Sequence, residues 1–253
     1  MGSKRRLPEH GGCSGSLGFL WILYDLFDQV ILMITLKEIQ SNESIQALVH
    51  AGSRYLAAMG YTDHGPRHVG YVSKTAGDLL RKLGYSDHEI ELAAIAGWVH
   101  DVGNSVNRHE HGPNGAVLLY PILREAGMPI QDVVEIITAV GNHEEQNGFI
   151  SSPISAALAI ADKSDAHKSR VRDGKPDPND PHDRVNFAIQ ENRVLVDCER
   201  KVIRQELKMD DSSSVLEFLS IYMQRITMCE QAAVFLGCHF ELMINDRLVN
   251  KRA

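Results

Sequence analysis

His100 and Asp101 close an apolar run, Ile95-Ala96-Gly97-Trp98-Val99. One imidazole beside one carboxylate is chemically ordinary. Three more histidines, His68, His111 and His143, and a second carboxylate, Asp162, lie in stretches of similar helical character. Imidazole nitrogens and carboxylate oxygens are ligands for transition-metal ions, and such a set can hold two of them. Neighbouring residues on a helix point about 100° apart, so His100 and Asp101 cannot act as a parallel pair. The imidazole can bind one ion while the carboxylate bridges to a second. His68, His100, Asp101 and Asp162 would then hold one ion, and His111 and His143 would share Asp101 for the other. Four imidazoles and two carboxylates without a thiolate favour divalent iron, manganese, zinc, cobalt or nickel over magnesium or calcium. So few protein ligands per ion leave positions open for water and substrate.

Those six residues must be brought together by helices. His68 opens a stretch in which Val69, Val72, Ala76, Leu79, Leu80 and Leu83 recur at helical spacing, stopped by Gly84. Ser86-Asp87-His88-Glu89 is a capping box opening a helix that runs to Asp101, and Gly103-Asn104 ends it. A helix over Asn114–Glu125 follows Gly112-Pro113; another starts at Met128-Pro129 and leads to His143. Ser152-Pro153 gives an N-cap with proline in the first turn, opening the helix that carries Asp162. No strand signal interrupts this series, which predicts an all-α core.

The pattern changes after residues 173–183, a proline-rich stretch that reads as an exposed loop. Arg193–Cys198 and Lys201–Met209 read as two strands, Val215–Leu236 as a long amphipathic helix, and Phe240, Leu242 and Ile244 as a last strand. The expected fold is mainly α, with a small β-β-α-β appendage. Its divisions are an apolar or amphipathic extension over residues 1–36, a helical core with the metal site over 37–190, and an α+β unit over 191–253. The last unit could relay a signal, pair two chains as a homodimer, or wall the pocket.

Composition narrows the function further. A net charge of −7 argues against a nucleic-acid binder, while a metal centre can still attract nucleotides locally. Four scattered cysteines, with no C-x-x-C pair, read as reduced thiols in a cytoplasmic protein. The apolar stretch from Leu17 to Leu36 carries Asp25 and Asp28, which disfavour stable membrane insertion. The stretch reads either as an amphipathic helix docked on the domain or on a membrane surface or, since Met33-Ile34-Thr35-Leu36-Lys37-Glu38 would make an ordinary start, as part of a non-native extension over residues 1–32.

The run His68…His100-Asp101…Asp162 resembles the signature of the HD-domain superfamily of metal-dependent phosphohydrolases. Gly97-Trp98-Val99-His100-Asp101-Val102-Gly103-Asn104 resembles its His-Asp segment, and Ala161-Asp162-Lys163 its terminal motif. His111-Gly112-Pro113-Asn114-Gly115-Ala116 and Asn142-His143-Glu144 resemble the extra-histidine segments of its dinuclear branches. The likeness spans about residues 64–172. It departs from the HD-GYP cyclic-dinucleotide phosphodiesterases at Glu144-Glu145-Gln146-Asn147-Gly148, where a Gly-Tyr-Pro loop would stand.

The resemblance implies cleavage of a phosphate ester or phosphoanhydride by metal-activated hydroxide, with two divalent transition-metal ions as cofactors and a small phosphorylated partner such as a nucleotide. Asp101 would be catalytic as well as a ligand. Lys163, Arg170 and Arg172 would contact phosphate oxygens, and His64 or His109 would protonate the leaving group. Glu144 and Glu145 read as a solvated edge that could orient a ligand histidine. Two other classes suit the same residues: an HD-fold di-iron oxygenase, and a non-catalytic nucleotide sensor.

Overall fold

Ser86 and Ser152 each open a helix by accepting from the backbone three residues on, closing reciprocal capping boxes with Glu89 and Ser155. The resulting helices dominate the computed structural model, which describes residues 34–250. In chain order these are α1 (Leu36–Ser41), α2 (Glu43–Ala58), α3 (Pro66–Lys82), α4 (Asp87–Val99), α5 (His111–Glu125), α6 (Ile130–Gly141) and α7 (Pro153–Lys163). Then follow α8 (Pro181–Ala188), β1 (Ile189–Asp197), β2 (Val202–Met209), α9 (Val215–Phe235), β3 (His239–Ile244) and β4 (Arg247–Leu248). The fold is mainly α with a small C-terminal sheet. The amphipathic segment expected before Met33, and Cys13, lie outside the described residues.

Helices α4 and α7 are buried almost all round, which marks them as the centre of the bundle. Helix α3 packs on both, and α9 covers α7 from the C-terminal side. Gly97 makes the α3–α4 approach possible. A Cβ there would lie 2.7 Å from the Ser73 Cα and N atoms, so any side chain would collide with the α3 backbone. Ser73 instead donates its hydroxyl to the Ala94 carbonyl at 2.7 Å, tying the two helices one turn away.

The sheet has the order β1-β2-β3-β4. β1 and β2 form an antiparallel hairpin, β3 pairs parallel with β2 after the α9 crossover, and β4 returns antiparallel. Alternation sends Ile203, Gln205, Leu207 and Met209 to the buried face, together with Phe240, Leu242 and Ile244. The apolar ones among these residues join one hydrophobic cluster with the helical core. The sheet also holds the end of α7: Asn192 and Gln205 donate to the Ser164 carbonyl at 2.6 and 2.9 Å, one of the carbonyls that a helix end leaves unpaired.

The proline-rich loop is shorter than its sequence suggests. Asp180 accepts from the His182 N–H and Pro181 takes the first helical position, so α8 starts inside the segment read as loop. Helix α5 likewise starts three residues before the expected Asn114, at His111 itself. No helix among the described residues is long and apolar enough to cross a membrane. The described cysteines, Cys198, Cys229 and Cys238, are free thiols.

Candidate metal centre

Five helix ends meet at one buried point. His68 lies in the first turn of α3, and His100 and Asp101 directly follow α4. His111 is the first residue of α5, His143 stands two residues past α6, and Asp162 is in the last turn of α7. Gly103 lets α5 begin beside the His-Asp pair; a Cβ there would sit 1.9 Å from the His111 carbonyl oxygen.

Each imidazole is held by its Nδ1 and directs Nε2 inward. The Nδ1–H groups donate to Asp165 Oδ2 from His68 (2.6 Å), to the Gly97 carbonyl from His100 (2.9 Å), to the Arg108 carbonyl from His111 (3.1 Å) and to the Val140 carbonyl from His143 (2.6 Å). This fixes the tautomer that presents an Nε2 lone pair. The Nε2 atoms then face each other in two pairs, His68 with His100 at 3.2 Å and His111 with His143 at 3.0 Å. Lone pairs so close repel unless a positive charge lies between them.

Asp101 spans both pairs. Its Oδ2 lies 3.6 Å from His68 Nε2 and 3.5 Å from His100 Nε2; its Oδ1 lies 3.3 Å from His111 Nε2 and 3.9 Å from His143 Nε2. Asn104 donates to Oδ1 at 2.8 Å and orients the carboxylate. Oδ2 is buried with no hydrogen-bond donor among the described residues. A buried carboxylate oxygen without a donor is costly, and a cation would satisfy it. Asp162 adds Oδ1 at 3.4 Å from His68 Nε2 and 3.7 Å from His100 Nε2. The donor set therefore suits metal: its ligand atoms converge in three overlapping groups, His68 with His100 and Asp101, His100 with His143 and Asp162, and Asp101 with His111 and His143.

The electrostatics agree with that fit. Burial works against charge on Asp101 and Asp162, but His100 beside the first and Lys163 beside the second hold both far below the usual carboxylate range. Burial opposes a proton on His111, yet its bonds to Asp101 and Glu144 raise it to about 9. Burial, and then the charges of His111 and His100, drive His143 down to about 3. The carboxylates draw positive charge into each pair of imidazoles, and only one ring of the second pair can carry it.

The other expected site residues fall in different places. Lys163 is 7% exposed and bridges Asp162 Oδ2 at 2.6 Å and Glu145 Oε2 at 2.7 Å. Arg170 is also buried, donating to the Asp165 carbonyl at 2.9 Å and to His64 Nε2 at 3.0 Å. His64 lines the mouth, but its Nδ1–H donates to the Thr62 carbonyl at 2.8 Å. Burial, and next the Arg170 charge, hold it well below its usual range, so it stands neutral with both nitrogens engaged. His109 is exposed and does not line the mouth. Arg172 also lies away from it: its guanidinium donates to the carbonyls of Tyr61, Thr62 and Ser53 and holds the loop that leads into α3.

Four contributors carry little local signal in the sequence. Glu144 accepts from the Gly112 N–H at 2.7 Å and lies 3.3 Å from His111 Nδ1, so it steadies a ligand and is not a solvated edge. Glu145 pairs with Lys163 and with Arg225 of α9. Arg108 and Arg225 line the mouth beside Lys163 and Arg170, surrounding the centre with cations in a chain of net charge −7.

Residues 67–167 match the HD domain family. An uncharacterized protein of Methanocaldococcus jannaschii is 27% identical over 136 residues, which cover 45% of this chain and 52% of that protein. The chain thus spans about half the length of this curated relative.

Proposed function

We propose, from the premise that residues 67–167 are an HD domain, that this protein is a metal-dependent phosphohydrolase cleaving a phosphate ester or phosphoanhydride of a nucleotide or another small molecule. The observation that carries the reading is Asp101, whose two oxygens divide between two imidazole pairs beneath a ring of cations. When bound, two divalent transition-metal ions supply Lewis acidity and lower the pKa of water at the centre. The chain itself supplies position and charge. Lys163 and Arg170 set positive charge over the centre and favour a phosphoryl group whose negative charge spreads in the transition state. Asp165 and the carbonyls of Gly97, Arg108 and Val140 keep the four rings in place without reorganisation. His64 braces Arg170 through its Nε2. Both of its nitrogens are committed and it is held neutral, so it is a poor candidate for the leaving-group acid.

Elemental analysis of protein purified without chelators, with a phosphate-ester and nucleotide panel run on the same sample, tests this. About two transition-metal ions per chain, with phosphate release abolished in Asp101→Ala, is the expected result. Oxygen uptake by a two-iron protein that releases no phosphate overturns the hydrolase reading in favour of an oxygenase. Tight nucleotide binding without turnover overturns it in favour of a sensor.

A further inference from the structure

Arg108 and Arg225 stand at the neck between two spaces. The space over the metal centre is narrow, about 30 Å³, and beside it lies a cleft of about 400 Å³ lined in part by Tyr61, Asp180 and Asn186. The first is tight, and the second is in the range of small-molecule sites. The two spaces share three lining residues, His64, Arg108 and Arg225. Arg108 follows the Val102–Ser105 turn and lies over the Tyr61 ring, 5.5 Å from its centroid. No carboxylate pairs with it among the described residues; its closest polar contacts are His111 Nε2 at 3.4 Å and Asn104 Oδ1 at 3.5 Å. Arg225 comes from α9, outside the HD domain. It lies over Tyr222 at 4.8 Å, and its Nε is 3.4 Å from Glu145 Oε1, a long contact that leaves donors of the fork for another acceptor.

Resting on the phosphohydrolase reading, we infer that Arg108 and Arg225 clasp a second phosphate of the substrate. The preferred substrate then carries linked phosphates: one over the metal centre, the next in the neck, and the remainder in the cleft. Guanidinium forks match phosphate oxygens bidentately, and two of them at a constriction define where the second group must lie. The chemistry agrees with the committed nitrogens of His64. Water oxygen bonds to the phosphorus over the centre, the bond from that phosphorus to the bridging oxygen breaks, and its electron pair departs with the second phosphate. The water's proton leaves to solvent. A phosphate leaving group departs as an anion near neutral pH and needs no protein acid, and the two arginines face the charge it develops.

The full chain loaded with manganese is titrated calorimetrically with methylenediphosphonate and with methylphosphonate, neither of which offers an anhydride to cleave. The clasp predicts that Arg108→Gln and Arg225→Gln each weaken the diphosphonate about ten-fold while leaving the monophosphonate within about two-fold, with Arg225→Lys in between. Manganese stoichiometry and melting temperature, measured on every variant, show that fold and centre persist; if Arg225→Gln fails to fold, Arg108→Gln and Arg225→Lys carry the test. An unchanged ratio of the two affinities, or equal weakening of both ligands, overturns the clasp. Hydrolysis is followed separately: selective diphosphonate binding by a protein that turns over no phosphate compound upholds the clasp and overturns the hydrolase reading.

Discussion

Asp165 Oδ2 lies 2.6 Å from His68 Nδ1, and the same carboxylate receives Arg67 at 2.5 Å and faces Arg170 at 3.7 Å. It is 1% exposed, so one buried anion orients a ligand imidazole and is shared by two arginines, which leaves net positive charge beside the centre. Asp165→Asn should lower metal affinity about 10- to 100-fold, the usual loss when a partner behind a ligand histidine is weakened. Asp165→Ala should add a fold defect of about 3–5 kcal/mol, because Arg170 is left buried without its counter-charge. Chelator competition and chemical denaturation separate the two effects. Unaltered metal affinity in both variants would refute the orienting role.

The division of Asp101 between the two imidazole pairs predicts unequal metal counts. His143→Ala leaves the His68, His100 and Asp162 set intact and should retain about one ion per chain. Asp101→Ala removes a ligand from both positions and should retain close to none after dialysis. Elemental analysis distinguishes these outcomes, and two ions retained by His143→Ala would refute the assignment.

Gly97 controls the approach of α3 to α4, and through it the distance between His68 and His100. Gly97→Ala puts a methyl group against the Ser73 backbone, where no flexible side chain can give way. The expected cost is about 1–3 kcal/mol, typical of overpacking, together with weaker metal binding as the two helices separate. A variant as stable as the parent would show that the helices part easily.

Tyr71 links the helical core to the sheet through Asn192, whose Nδ2 donates to its hydroxyl at 3.3 Å. Burial, with the Asp165 charge next, raises its phenol from 10 to about 12. A folded-state pKa above the unfolded value means that the contribution to stability is fully present below pH 10. It is lost as pH rises through about 12. Tyr71→Phe should be less stable at pH 8 by about 1 kcal/mol for the lost hydrogen bonds, and the gap to the parent should narrow between pH 10 and 12. A gap that stays constant across that window would refute the assigned shift.

Much of the core was legible because helix starts are written in adjacent residues. Ser86 with Glu89, and Ser152 with Pro153, mark α4 and α7, the two helices that carry His100-Asp101 and Asp162 to the centre. Asp180-Pro181 carries the same signal for α8, but it sits inside a proline-rich stretch whose composition masked it. Arg225 was invisible for a different reason. Charges on the polar face of an amphipathic helix ordinarily face solvent, and only tertiary packing turns this one toward the metal centre. Arg172 errs the other way: its nearness to Asp162 in sequence suggested a phosphate contact, whereas the chain turns and spends the guanidinium on the Tyr61–Thr62 loop. The parallel β2–β3 pairing depends on the α9 crossover, and no short-range pattern specifies it.

That pairing has a consequence during synthesis. The β1–β2 hairpin can close as soon as both strands leave the ribosome, but β3 follows Met209 by about 30 residues, roughly 2–6 s at ordinary elongation rates. Over that interval Val202 to Leu207 present an open strand edge, alternating apolar on one face, to any other nascent chain nearby. Slowed translation within α9 should therefore lower the soluble yield of this protein more than an equal pause within α5, before the hairpin exists.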